Sequence, residues 1–167
     1  MSAHKSFDVC VVGAGVFGAW SALMLRRAGL SVLLLDAHGP GNNRSSSGGE
    51  SRIIRMGYGA DEIYTRSAIR SLALWQELFE EAGENLFHRT GVLWMAHERD
   101  AYCENTLETL QKSGVRHEKL SRAEIEARYP QINPGAVEWG IFEPDSGAVM
   151  ARRAVQMVVE ECIEEGV

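Results

Sequence analysis

The sequence predicts an α/β chain that opens on the strand–turn–helix–strand unit of a Rossmann-like fold. Three observations predict it. Phe7–Val12 (FDVCVV) is a short, β-branched apolar run, the composition of a strand buried on both faces. Gly13-Ala14-Gly15-Val16-Phe17-Gly18 follows directly as G-x-G-x-x-G. A second apolar run, Ser31–Leu35 (SVLLL), ends on the acid Asp36.

Between the two runs, Ala19, Ala22, Leu23 and Leu25 carry a helix to Ala28-Gly29, where Gly29 is a natural stop. Residues 37–60 are rich in glycine and serine and read as a long loop. Asp61 to Gly83 is the clearest helix, with Tyr64, Ala68, Leu72, Trp75 and Phe79 on one stripe and Trp75 read as core. Phe87–His97 reads as one or two strands, and Asp100–Lys112 as a helix stopped at Ser113-Gly114. Val115–Leu120 reads as a strand. Ser121-Arg122-Ala123-Glu124 is a capping box that starts a short helix ending before Tyr129-Pro130. Gly135–Phe142 and Gly147–Met150 read as strands, Ala151–Gly166 as a helix, and Val167 as the first residue of a further strand.

Composition excludes several classes. The 167 residues carry 17 Lys+Arg against 23 Asp+Glu, a net charge of −6, which opposes a nucleic-acid partner. Cys10, Cys103 and Cys162 are widely spaced without C-x-x-C, so neither a disulfide scaffold nor a zinc ribbon is expected. They read as reduced core thiols of a cytoplasmic protein. Val9–Leu25 is uncharged and follows His4 and Lys5, the outline of a membrane span or signal peptide. Asp8, Arg26, Arg27 and the glycine cluster oppose both readings, and no membrane partner is expected. The 5 histidines show no H-x-x-x-H pair, and no metal is expected.

The glycine motif carries a mechanism. Gly13 permits the tight turn, Gly15 lets the backbone approach a pyrophosphate, and Gly18 lets helix and strand pack closely. The helix start offers free N–H groups to phosphates. Asp36 stands where a carboxylate accepts a ribose 2′-hydroxyl, and its charge repels a 2′-phosphate. The motif implies a dinucleotide but does not separate FAD from NAD, so an NAD-dependent dehydrogenase half stays open. Within the loop, Arg52 and Arg55 share a face if the segment is helical and point apart if it is extended. A solvated surface pair is the alternative.

The run Arg44-Ser45-Ser46-Ser47-Gly48-Gly49-Glu50-Ser51-Arg52-Ile53-Ile54-Arg55, then Tyr58-Gly59, resembles the segment after the second strand in the monomeric sarcosine oxidase group. Pipecolate oxidase and N-methyltryptophan oxidase share it, within the D-amino-acid-oxidase-like superfamily. Thr90-Gly91-Val92-Leu93 and Phe142-Glu143-Pro144-Asp145-Ser146-Gly147 resemble later parts of the same pattern.

The resemblance implies FAD, and oxidation of a small amine or amino-acid-like substrate by hydride transfer to the flavin. It implies Arg52 against the flavin and Arg55 on the substrate carboxylate as the catalytic positions. The expected cofactor-binding positions are Gly13, Gly15, Val16, Phe17, Gly18, Asp36, Ala37, Arg44, Ser46, Ser47, Arg52 and Ile53. Two departures stand out: Gly48 replaces a histidine that would help tune the flavin site, and Ser45 replaces a glycine. In fold class the whole reads as α/β, a Rossmann-like FAD-binding βαβ unit followed by the start of an α+β substrate domain, cut short. Its expected regions are 1–85 for FAD, 86–150 for the beginning of the substrate region, and 151–167 for a helix returning to the FAD-binding domain. The group's longer chains place a flavin-attaching cysteine, a catalytic lysine and a last flavin-binding segment beyond the stretch matched here. A further chain or C-terminal region is therefore expected to complete the fold, with a non-catalytic nucleotide-binding fragment as the alternative.

Overall fold

The computed structural model describes residues 6–167, and His4 and Lys5 lie outside the described residues. The elements run β1 (Val9–Val12), α1 (Val16–Arg27), β2 (Val32–Leu35), β3 (Arg52–Ile54), α2 (Glu62–Glu81), β4 (Phe87–His88), β5 (Val92–Ala96), α3 (Ala101–Lys112), β6 (Glu118–Ser121), α4 (Arg122–Arg128), β7 (Trp139–Glu143), β8 (Gly147–Val149) and α5 (Ala151–Glu164). They group into two compact units. The first holds the chain up to Arg52 with Ala82–Leu86 and Val149–Val167, and the second holds Ile53–Glu81 and Phe87–Ala148.

In the first unit β1 and β2 pair in parallel, Val9 opposite Val32 and Val12 opposite Leu35. The pair is locked at its start, where Ser31 N–H donates to Asp8 Oδ2 at 2.8 Å and Asp8 N–H to Ser31 Oγ at 2.9 Å. Helix α1 turns Ala19, Ala22 and Leu23 inward and packs against β1, β2 and α5, which buries Ala154, Val155, Val158 and Cys162. Small alanines on the α1 face permit the close approach.

Burial of β1 on both faces is not what the structure shows. Its residues alternate, with Cys10 exposed and Val12 82% exposed, while Leu35 of β2 is 47% exposed. Among the described residues of this unit, helices cover only one side of the pair. The reading of three core thiols is corrected accordingly: Cys103 and Cys162 are buried, and Cys10 is not.

The acids closing α5 oppose its macrodipole but have tertiary partners. Glu161 and Glu165 pair with Arg27 of α1 at 2.9 and 2.6 Å, and Glu160 pairs with Arg153, which also holds Glu84 at 2.9 Å. Val167 belongs to no strand, since its N–H closes onto the Cys162 carbonyl at 2.9 Å.

In the second unit β7 is the centre of an antiparallel sheet of order β5-β7-β6, with Val92 opposite Glu143 and Glu118 opposite Phe142. Leu120, Ile125 and Val137 form a core beneath it with Leu93, Tyr129 and Phe142. The capping box is present in full, with Ser121 Oγ and the Glu124 carboxylate each bonded to the other residue's backbone N–H. A second small sheet has the order β3-β8-β4. Strand β3 lies in the stretch read from sequence as loop. Helix α2 buries Thr65, Leu72, Trp75, Leu78 and Phe79, packs with α3, and falls in the second unit.

Candidate functional site

The first candidate site is built at the end of β1. Gly13 turns the chain at φ +105°, a conformation costly for any residue with a Cβ. A Cβ on Gly18 would stand 1.7 Å from the Gly13 carbonyl oxygen, so helix and turn meet as backbone on backbone. At Gly15, by contrast, the space a Cβ would fill is open. Gly15 caps α1 without any side-chain hydrogen bond, leaving the first helical N–H groups to a ligand.

Asp36 closes the same site. Its Oδ2 accepts the Ala14 N–H at 2.8 Å and its Oδ1 the His38 N–H at 2.7 Å. Those backbone donors, His38 first and Ala14 next, hold its pKa below the usual aspartate value. Each oxygen keeps a second lone pair, which suits a vicinal pair of ribose hydroxyls.

A cavity of about 340 Å³ opens here, lined by Gly13, Gly15, Asp36, Ala37 and Arg44 of the expected positions. Val12, His38, Asn42 and Ser45 complete the lining, and sequence reasoning had not singled out Val12 or Asn42. Arg44 reaches the His38 ring, Nη1 to Nε2 3.2 Å. Val16, Phe17, Gly18, Ser46 and Ser47 are not among the lining residues, and Phe17 is 85% exposed.

The loop that follows is pinned from α5. Arg152 donates to the Gly48 carbonyl at 2.8 Å and pairs with Glu50 at 3.1 Å. At Gly48 a Cβ would lie 2.2 Å from the Asn42 carbonyl oxygen, so this loop path admits glycine alone. Arg52 donates to the carbonyls of Ser51 and Ser46, and its guanidinium lies against Gly49. Of the two conformations weighed for the arginine segment, the extended one holds over Arg52–Ile54.

The second candidate site belongs to the second unit. The half-buried Arg55 guanidinium stacks on two rings, 4.6 Å from the Tyr58 centroid and 4.4 Å from that of Trp94. It donates one hydrogen bond, to the Gly57 carbonyl. Among the described residues no carboxylate lies within ion-pair distance of it. A cavity of about 230 Å³ adjoins it, walled by Ile53, Ile54, Tyr58, Tyr64, Ser67, Ala68, Ser71 and Trp75. Ile53 therefore lines this cavity and not that of the glycine turn.

The backbone after Arg55 is held by side chains that sequence reasoning missed. Glu143, only 1% exposed, accepts from Met56 N–H, Gly57 N–H, Trp94 Nε1 and Ser146 Oγ at 2.7, 3.1, 2.6 and 2.7 Å. Thr65 donates to the Met56 carbonyl, Thr109 to that of Gly59, and Thr106 accepts the Gly59 N–H. The signal that could have found Glu143 is an acid ending the otherwise apolar strand Trp139–Phe142.

The family described as FAD dependent oxidoreductase (DAO) matches residues 8–167. The chain belongs to this family. It is 33% identical over 160 residues to an N-methyl-L-tryptophan oxidase of Citrobacter koseri, and 34% identical over 149 residues to one of Salmonella arizonae. These matches take in 96% and 89% of this chain but 43% and 40% of the relatives, so the chain spans less than half of their length. Among solved structures it is similar to NikD, an amino acid oxidase essential for nikkomycin biosynthesis, in its open form. There the TM-score is 0.79 at 27% identity, covering 98% of this chain and 42% of that one. The fold is shared with an L-proline dehydrogenase from P. horikoshii, TM-score 0.80 at 23% identity.

The family is FAD dependent, and the residues present fit the adenosine diphosphate half of that cofactor. The fit rests on the glycine cradle, the uncapped helix start and the doubly anchored Asp36. Among the described residues, no helix is long and apolar enough to cross a membrane.

Proposed function

We propose that this chain forms the cofactor-accepting and carboxylate-anchoring part of an oxidase acting on small amino-acid-like amines. FAD, when bound, supplies the acceptor for a hydride from the carbon beside the amine nitrogen. The first unit is the nucleotide-binding domain. Gly13, Gly15, Val16, Phe17 and Gly18 present backbone to the pyrophosphate, and Asp36, Ala37 and Arg44 surround the adenosine. Ser46, Ser47, Arg52 and Ile53 are the positions for the flavin end, with Arg52 contributing positive charge beside it. The second unit carries the substrate side, where Arg55 orients the substrate carboxylate.

One observation carries the substrate assignment. Arg55 is a half-buried cation packed on two aromatic rings beside a cavity, and among the described residues no carboxylate is paired to it. A cation in that state favours an anionic guest, and its fork binds a carboxylate through two parallel N–H bonds. Tyr58, Tyr64 and Trp75 make the adjoining wall apolar and aromatic, which suits a substrate with a bulky side chain. The curated relatives named for N-methyl-L-tryptophan support the same class.

The test is spectral and then functional. Protein reconstituted with FAD shows flavin absorbance, bleached anaerobically by N-methyl amino acids. Arg55→Met lowers affinity for carboxylate ligands about 10–100-fold, the loss of a charge-assisted bidentate contact. NADH binding without flavin retention points instead to a nicotinamide enzyme, and unchanged carboxylate affinity in Arg55→Met removes the anchor assignment.

A further inference from the structure

Five buried polar residues of the second unit converge on one short piece of backbone. Thr65, Thr106, Thr109 and Glu143 bond directly to Met56, Gly57 or Gly59, and Ser146 bonds to Glu143. Burying polar groups is costly unless they are satisfied, so a cluster this complete imposes one geometry on the segment. Two of the three contacts that orient Arg55, the Gly57 carbonyl and the Trp94 ring, depend on the same carboxylate, and the Tyr58 ring is the third. Gly57, whose carbonyl accepts from Arg55, gives its N–H to Glu143 Oε1, and Trp94, whose ring lies under the guanidinium, gives its indole N–H to that same oxygen. Gly57 is also confined by packing, since a Cβ there would stand 2.6 Å from Thr106 Cγ2 and 2.9 Å from the Trp94 ring.

We propose that Glu143 is a positioning residue for Arg55, acting through the Gly57 carbonyl and the Trp94 indole to hold the guanidinium ready for a carboxylate. The proposal rests on the reading of Arg55 as the carboxylate anchor. All four partners of Glu143 are donors, so its role is that of acceptor alone. An acceptor on the indole N–H also adds electron density to the ring face on which the cation rests, strengthening that contact. Glutamine at this position offers one oxygen, and its amide NH₂ faces donors, so half of the arrangement is lost.

The probes are indole-3-acetate, an aromatic carboxylate, and the neutral indole-3-acetamide, titrated calorimetrically into FAD-loaded protein. Glu143→Gln weakens indole-3-acetate about tenfold and changes indole-3-acetamide less than about twofold, while near-ultraviolet circular dichroism stays native. Trp94→Phe keeps an aromatic side chain beside Arg55 but loses the indole N–H together with one ring of the indole, giving about a threefold loss for the carboxylate alone. In an Arg55→Met background, Glu143→Gln has no further effect on the carboxylate-to-amide preference. Equal weakening of both ligands by Glu143→Gln would mean a merely structural role and overturns the proposal. If Glu143→Gln does not fold, an unchanged preference in Trp94→Phe overturns it. Should Arg55→Met itself leave the preference intact, the anchor reading fails and this proposal with it. A preference lost in Arg55→Met but kept in Glu143→Gln overturns the positioning role alone.

Discussion

Gly18 and Gly48 show how much a single missing side chain carries. Gly18 is required because a Cβ there would collide with the Gly13 carbonyl oxygen at 1.7 Å. Gly18→Ala is therefore expected to cost about 3 kcal/mol or more through overpacking, read as a lower urea midpoint, and to abolish FAD retention in a flavin titration. Gly15→Ala meets open space and folds normally, so its effect falls on cofactor affinity alone. The two substitutions separate a packing glycine from a ligand-facing one. Gly48 adds a local fact that the motif alone conceals. The loop runs there where any side chain would meet the Asn42 carbonyl, so the position is closed to a residue with a Cβ.

Elements with a strong periodic signal were legible before any coordinates. The paired apolar runs, the amphipathic α2 and the capping box of α4 are local consequences of side-chain period and cap chemistry. Strand β3 was not legible, because its three residues lie in a glycine- and serine-rich stretch and owe their extended form to pairing with β8. The acids of α5 look misplaced on the isolated helix and make sense only beside Arg27 and Arg153. The turn between β7 and β8 yields a prediction at this scale. Asp145 is held below the usual aspartate range by hydrogen bonds from Arg116 at 2.8 and 2.6 Å and by the nearby Arg89. A folded carboxyl with a lowered pKa stabilises the protein above the ordinary aspartate value of 3.8, and that contribution disappears as pH falls through the lowered value. Wild type is expected to exceed Asp145→Asn by about 0.5–1 kcal/mol at neutral pH, given the exposure of the pair. Urea midpoints of the two proteins converge in acid, and the gap shrinks in high salt.

For the molecule as a whole, the uncovered side of the β1–β2 pair has a direct readout. Cys103 and Cys162 are buried, and burial pushes each thiol up to about 11. Cys10 sits on the exposed face. Iodoacetamide near neutral pH is expected to modify Cys10 in the native 167-residue chain and the other two cysteines only after denaturation, as resolved by peptide mass mapping. Protection of Cys10 in the native chain would show that something covers that face.

The sequence by itself determined the βαβ unit, the glycine turn with its acid, the helix boundaries and the family, because each depends on neighbours along the chain or on short motifs. Only the tertiary structure decided that Arg55 packs on the rings of Tyr58 and Trp94, that Arg52 is tied back to its own loop, and that Glu143 gathers Met56, Gly57, Trp94 and Ser146. The physical reason is distance along the chain. Glu143 and Gly57 stand 86 positions apart, and no local period or cap couples such residues. A buried carboxylate persists only where folding brings donors to meet it.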